Sequence, residues 1–478
     1  MTSRLCLVVL LASLLGCSSS APEQAATRPN IVILLVDDWG WSDASCLGSD
    51  LYETPNIDAL AEAGMRFTTS YAACTVCSPT RAAMLTGQYP GRTHVTDWIR
   101  GHDRPDAKLL PPEWTMKIEE RHTTLAEALR AEGYHTATVG KWHLQPTGDP
   151  DQDDYIPEKH GFDINIAGNQ WGQPPSYHYP YRRDRADHTL GPMPPGGEEG
   201  EYLTDRLTEE ALKIVDGWQD DPFFLYLPYF VVHTPIQATD EDAAPFEGRV
   251  KPGMKHTDAE YAGMLAALDR SVGRIRAHLE ELGIADNTVI LLTGDNGGLD
   301  RNGTGRPTEN APLREGKGSA YEGGVRVPGI VYWPGVTRAG SVSNEPIITV
   351  DYYPTVLDIL GISGDPEHNA KVDGVSLTPL LRDPSASLTR TELYWHYPHY
   401  HPGGATPYSA IRDGDLRLVE FYEDGRAELY DLSNDIGEEH DLATAMPEKV
   451  EELKAKLITW REKVTAQPPR PNPAYRGE

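Results

Sequence analysis

Cysteine is scarce in this chain: five in 478 residues, at positions 6, 17, 46, 74 and 77. At this length, so few exclude a fold organised by disulfides. Basic residues are also in short supply, with 43 Lys and Arg against 72 Asp and Glu, for a formal charge of −29. That balance argues against nucleic acid or an anionic membrane surface as a partner. It suits a protein that holds a hard cation. Beyond the N-terminus no apolar run is long enough to span a bilayer, and no internal repeat is evident. Glycine and proline are plentiful, at 44 and 39, so long ordered loops are expected, and such loops often carry function.

The N-terminus reads as an export signal. Arg4 supplies the positive start, and Cys6 to Leu15 is an apolar run too short to cross a membrane. The run ends in Leu14-Leu15-Gly16-Cys17-Ser18-Ser19-Ser20, which resembles a bacterial lipoprotein signal cut before Cys17; an ordinary cleaved secretory signal is the alternative. Residues 1–17 are then the signal and residues 18–28 a polar tether. The expected location is the periplasm or an outer membrane of a bacterium, with membrane contact only through a lipid on Cys17. Signal removal takes Cys6, and lipidation uses Cys17. Cys46, Cys74 and Cys77 remain, an odd number, so one thiol is left over in an oxidising compartment and needs a chemical explanation.

Short apolar runs read as buried parallel strands: 31–36, 135–139, 223–227, 288–293 and 329–333. Helical patterns lie between them, at 123–133 behind a Thr cap and at 257–283 ending on a glycine. Strands alternating with helices predict an α/β sheet covered on both faces over residues 29–375. From 376 to 470 the pattern changes. The segments ELYWHY, RLVEFY and AELYDL alternate as antiparallel strands, and 447–464 is a charged amphipathic helix. This predicts a smaller α+β subdomain.

Chemistry-bearing residues recur directly after the strands: Asp37-Asp38, Lys141-Trp142-His143, His233 and Asp295-Asn296. In an open parallel sheet the loops beyond the carboxyl ends line one crevice, so these distant segments can converge. Asp37, Asp38, Asp295 and Asn296 offer only oxygen, which suits Ca²⁺ or Mg²⁺ and argues against Zn²⁺. Gly294, Gly297 and Gly298 allow the backbone to approach such an ion closely.

The segment ACTVCSPTRAAMLTG (73–87) poses the question of the leftover thiol. Cys74 and Cys77 could be a redox pair, a structural disulfide, or hold a cysteine destined for modification. A redox pair of the thioredoxin type expects an early strand leading straight into a helix in a much smaller domain. The run Cys77-x-Pro79-x-Arg81 with Leu85-Thr86-Gly87 resembles the sulfatase signature, with Thr80 where the family more often has Ser. The resemblance covers essentially the whole mature chain in order, through NIVILLVDDWG, YHTATVGKWHL, FFLYLPYFVVHTPIQA, LLTGDNGG, LREGKGSAYEGGVRVPGIVYWPG and ELYDLSNDIGEEHDLA.

This resemblance to the formylglycine-dependent sulfatases implies an alkaline-phosphatase-like fold, a mixed, mostly parallel sheet sandwiched by helices, with a C-terminal subdomain. It implies that Cys77 becomes Cα-formylglycine through a formylglycine-generating or anaerobic maturation enzyme. It implies one Ca²⁺ per chain, favoured over Mg²⁺, on Asp37, Asp38, Asp295, Asn296 and the modified Cys77. Arg81 would steady the formylglycine, Lys141 and Lys317 would face the sulfate, His143 would serve as base, and His233 as general acid on the leaving-oxygen side. The expected reaction is hydrolysis of sulfate monoesters. Loops 168–185 and 394–412, dense in Trp, Tyr, His and Arg, point to a sulfated polysaccharide or oligosaccharide. Trp171, Arg182, His399 and His401 are the candidate glycan contacts. Competing readings are a phosphatase or phosphodiesterase on the same fold, an inactive glycan-binding lipoprotein, and a sulfatase for small aryl or choline esters.

Overall fold

The computed structural model describes residues 28–146, 155–182, 190–300 and 306–476. The expected signal, its Cys17 and tether residues 18–27 lie outside the described residues, as do residues 183–185 of the first aromatic loop.

The 30–36 strand shows why the centre of the molecule is a sheet. Its sequence NIVILLV has no polar alternation, because both faces are covered. Val32, Leu34 and Val36 enter one core with residues of the helices Pro55–Ala63, Leu203–Trp218 and Ala259–Glu281. Ile31, Ile33 and Leu35 enter a second core with the helices Cys77–Thr86, Leu125–Ala131 and Tyr352–Leu360. Among the described residues eight strands form this sheet, ordered 341–343, 65–67, 329–332, 288–294, 30–36, 223–228, 135–139 and 164–166. The 30–36 strand pairs in parallel with 223–228 and 288–294, and Val36 sits opposite Gly294.

Strand 329–332 departs from expectation. Its apolar run predicts a parallel strand, but it runs antiparallel to both 288–294 and 65–67. Thr293 is paired with Gly329, so the chain between them returns to the same end of the sheet that it left. With no crossover to carry it to the other end, the next strand must run backwards.

Capping fixes helix starts where the sequence supplies it. Thr124 and Glu127 form a reciprocal capping box on 125–131, and Asp258 accepts from Tyr261 N–H at the start of 259–281.

The C-terminal portion is an antiparallel sheet of strands 392–397, 408–413, 416–421 and 427–431. Strand Tyr408–Asp413 takes up the end of the 394–412 segment expected as a glycan loop, and strand Glu392–Tyr397 its start, so the loop itself is 398–407. Helix Pro447–Val464 packs on this sheet, and a third core joins Trp395, Leu418 and Leu457 to Tyr71, Val76 and Tyr89 of the N-terminal portion. Among the described residues no helix is long and apolar enough to cross a membrane.

Candidate active site

Register places the acids. Asp37-Asp38 and Asp295-Asn296 follow the paired residues Val36 and Gly294, so the two turns leave the sheet side by side. Asp295 N–H donates to Val36 O at 3.1 Å, and Asp38 N–H donates to Asp295 Oδ1 at 3.2 Å. Asn296 Nδ2 donates to Asp38 Oδ1 at 2.8 Å. All four side chains are fully buried. Asp38 holds φ +58°, a left-handed conformation uncommon for a residue with a side chain and typical of functional turns.

Cys77 opens helix 77–86, with Val76 as its cap. Pro79 sits in the first turn, where its missing N–H costs no helical bond. Arg81 lies one turn on, on the same face as Cys77. Its Nε and Nη2 donate to Asp295 Oδ2 at 2.9 and 2.6 Å, and Nη1 donates to the Lys141 carbonyl at 2.9 Å. A buried guanidinium needs this many acceptors.

Lys141 and His143 follow the 135–139 strand. Gly140 makes the corner at φ +127°, where a Cβ would lie 2.1 Å from Pro228 O. Lys141 Nζ donates to Asp37 Oδ2 at 2.7 Å. Lys317 Nζ lies 2.6 Å from Asp38 Oδ1 and donates to Oδ2 at 2.9 Å. His143 Nδ1 is 3.4 Å from Cys77 Sγ, and His233 Nε2 is 3.6 Å from Asp38 Oδ2. The structure thus brings all the expected catalytic and metal-ligand residues into one buried cluster around Cys77.

Burial sets most of the local proton affinities. Burial and the neighbouring Asp295 charge push the Asp37 carboxyl well up. Burial pushes Asp38 the same way, but Lys317, His233 and Lys141 outweigh it and hold this carboxyl low. Burial followed by Lys141 repulsion drives His143 well below the ordinary histidine range. Burial and Lys317 push His233 down to about 3. The Cys77 thiol is raised by burial, the reverse of an activated redox cysteine, and Cys74 and Cys77 are unpaired. Both features count against the disulfide and redox readings.

Two buried oxygens test the fit to a cation. Asp37 Oδ1 and Asn296 Oδ1 have no hydrogen-bond partner among the described residues. Arg81 Nη2 approaches Asp37 Oδ1 only to 3.7 Å, too long for a hydrogen bond. Ligand atoms of Asp37, Asp38 and His233 lie within 4.8 Å of one another. Orphaned oxygens among crowded carboxylates fit a hard divalent ion.

The expected glycan contacts divide. His401 stands at the site: its ring covers Gly318, where a Cβ would fall 1.7 Å from Nδ1, and Ala405 N–H donates to Gly318 O at 3.1 Å. Burial and Lys317 push His401 down to about 3. Trp171 lies on a loop bonded to the site, since His143 N–H donates to Asn169 O at 2.9 Å and Gly172 packs on the His143 ring. Arg182 is exposed. His399 is instead only 4% exposed, with Nε2 2.9 Å from Thr96 Oγ1 and Nδ1 3.6 Å from Asp97, so it is not presented to a ligand. Sequence reasoning missed Ser78, Ile99 and Asp97. Ile99 acts through its peptide, which leaves no signature, and Ser78 stands at the unspecified position of the run Cys77-x-Pro79.

Residues 29–362 match the sulfatase family model. The chain belongs to the sulfatase family. This sulfatase also matches, over residues 316–464, the model described as N-sulphoglucosamine sulphohydrolase, C-terminal. It is 33% identical to a sulfatase of Formosa agariphila, over 93% of this chain and 90% of that protein. It is 33% identical to the N-acetylgalactosamine-6-sulfatase of Canis lupus familiaris, over 82% of this chain and 72% of that protein. Its fold superposes with a TM-score of 0.75 on the structure of Ps i-CgsB in complex with k-i-k-neocarrahexaose, at 29% identity and 95% coverage of both chains. The sulfatase is accordingly a sulfuric ester hydrolase, built on the mixed α/β sheet with its antiparallel C-terminal sheet.

Proposed function

We propose that this sulfatase removes sulfate from a sulfated polysaccharide or oligosaccharide, using a formylglycine made from Cys77 and one calcium ion held by Asp37, Asp38, Asp295, Asn296 and the modified residue 77. The observation that carries this reading is the pair of orphaned buried oxygens, Asp37 Oδ1 and Asn296 Oδ1, beside a cysteine that is neither paired nor activated as a thiol. A hydrated aldehyde supplies one hydroxyl for attack and a second to expel sulfate afterwards. Bound calcium would polarise sulfate oxygens and favour ionisation of the diol.

The protein's own groups do the rest. Arg81 holds Asp295 by two hydrogen bonds and offsets the crowded carboxylate charge. Lys141 and Lys317, now on Asp37 and Asp38, are the cations for the sulfate oxygens. His143, with Nδ1 facing residue 77, takes and returns its proton. His233 is neutral in the resting site, and the arriving anion raises its proton affinity, which suits it to protonate the departing oxygen. Trp171, Arg182 and His401 contact the glycan, while His399 packs behind His401 through the Tyr397 ring they share.

Support for a sugar substrate comes from the carrageenan oligosaccharide bound to Ps i-CgsB and from the N-acetylgalactosamine-6-sulfatase relative. Export, lipidation of Cys17, maturation by a formylglycine-generating or anaerobic enzyme, and division into 29–375 and 376–470 complete the proposal; the N-terminal sequence supports the first two. The test is matured protein on defined sulfated oligosaccharides, with desulfation followed by NMR. Loss of sulfate from one position of a sugar is expected. Turnover of aryl sulfates alone would overturn the glycan assignment, and faster turnover of phosphate esters would overturn the sulfate assignment.

A further inference from the structure

Two buried groups beside the site have no place in the chemistry above. Ser78 is fully buried in the first turn of helix 77–86. The Ile99 residue comes from a separate loop and is 5% exposed. Their hydrogen bonds close a ring around His143. Ser78 Oγ donates to the His143 carbonyl at 2.9 Å, and Ile99 N–H donates to Ser78 Oγ at 3.2 Å. The Ile99 carbonyl faces His143 Nε2 in a short hydrogen bond.

The ring determines a tautomer. A carbonyl can only accept, so Nε2 must carry the hydrogen. In the neutral ring Nδ1 then presents a lone pair, and Nδ1 is the nitrogen 3.4 Å from residue 77. The backbone needs the same support. His143 holds φ +58°, a strained conformation for a residue with a side chain. Its N–H is tied to Asn169 O and its carbonyl to Ser78, so both sides of the strained residue are fixed.

We propose that Ser78 and the Ile99 peptide are a positioning frame that locks His143 in the Nε2–H tautomer with its Nδ1 lone pair on residue 77. Ser78 is thus a positioning residue, not a catalytic one: its hydroxyl touches the His143 and Ile99 backbones. It sits between Cys77 and Pro79, which makes that position of the signature a determinant of the base's geometry in this chain. The consequence for turnover rests on the formylglycine reading; the tautomer does not, because the structure carries cysteine at 77.

The test pairs Ser78→Ala with Ser78→Thr, which keeps the hydroxyl. In ¹⁵N-histidine-labelled full chain carrying unmodified Cys77, wild type and Ser78→Thr show His143 as the Nε2–H tautomer, the signal being assigned by its loss in His143→Asn. Ser78→Ala leaves two buried backbone groups without their partner and shows a mixture. In matured protein, with aldehyde at residue 77 quantified by mass, Ser78→Ala loses about tenfold or more in kcat at little-changed KM, and Ser78→Thr recovers most of it. A pure Nε2–H tautomer in Ser78→Ala, or an unchanged kcat at equal aldehyde content, overturns the frame. Should Ser78→Ala not fold, Ser78→Thr decides alone: a lost tautomer or a lost kcat contradicts the proposal, and retention of both supports it. Active wild type without aldehyde would instead sink the formylglycine reading and leave the tautomer result standing.

Discussion

The floor of the site and its mouth are built by different rules. On the floor, Asp37, Asp38, Asp295 and Asn296 hang from paired strand ends, and every one is fully buried. Their positions follow from sheet register, and Arg81, Lys141 and Lys317 are tied to them within hydrogen-bond distance. At the mouth, Trp171, Arg182 and His401 ride on loops, and His401 reaches the site only because the 398–407 turn is stitched to Gly318. The floor therefore tolerates almost no change, whereas the mouth can be altered without moving the chemistry. Fixed chemistry under an adjustable rim is how one sheet can serve different sulfate esters.

The largest break in this comparison should come from the floor. Cys77→Ser is expected to remove essentially all turnover while the melting temperature stays near that of wild type, because Ser fills the same buried space. Asp295→Ala should cost both activity and fold. It removes the acceptor of two hydrogen bonds from a buried guanidinium, a loss of about 3–5 kcal/mol readable by chemical denaturation. Unchanged stability in Asp295→Ala would refute the picture of an over-determined floor.

Between the two regions lies Asp97, which accepts from Tyr397 OH at 2.7 Å and joins the 96–102 segment to the C-terminal sheet. Burial pushes its carboxyl up to about 7, against the pull of the Tyr397 hydrogen bond. An acid raised in the folded state gives stability that is full below its unfolded pKa, near 4, and lost as pH rises through 7. Wild type should therefore lose up to about 1.4 kcal/mol per pH unit across that window from this group. Asp97→Asn should gain on wild type from pH 4 to 7 and hold a constant advantage above. A melting-temperature difference independent of pH would contradict a carboxyl kept neutral by burial.

The smallest effects should come from the mouth. Trp171→Ala and His401→Ala are expected to lower kcat/KM on a sulfated oligosaccharide by about tenfold, roughly 1.4 kcal/mol each. The same variants should change turnover of a small aryl sulfate by less than about twofold. Equal losses on both substrates would place these residues in the chemistry and erase the division between floor and mouth.

The same division explains what could be read in advance. Asp37-Asp38 and Asp295-Asn296 were legible because each pair ends a buried apolar run, and such runs declare their own length and ends. The family signature at Cys77 to Arg81 pointed to the residue proposed as the nucleophile. Strand 329–332 looked the same in either direction, and its orientation was decided by a loop that stays at one end of the sheet. The burial of His399 was not legible, because a cluster of aromatics and histidines does not tell a presented ring from one packed against Thr96 and Asp97. Ile99 left no trace, since a peptide carbonyl belongs to every residue alike.

The account stands or falls on residue 77. Peptide mass mapping of protein samples that differ in specific activity measures it directly. The account predicts aldehyde at residue 77 in proportion to activity. Full activity in protein whose residue 77 is entirely unmodified cysteine would contradict it.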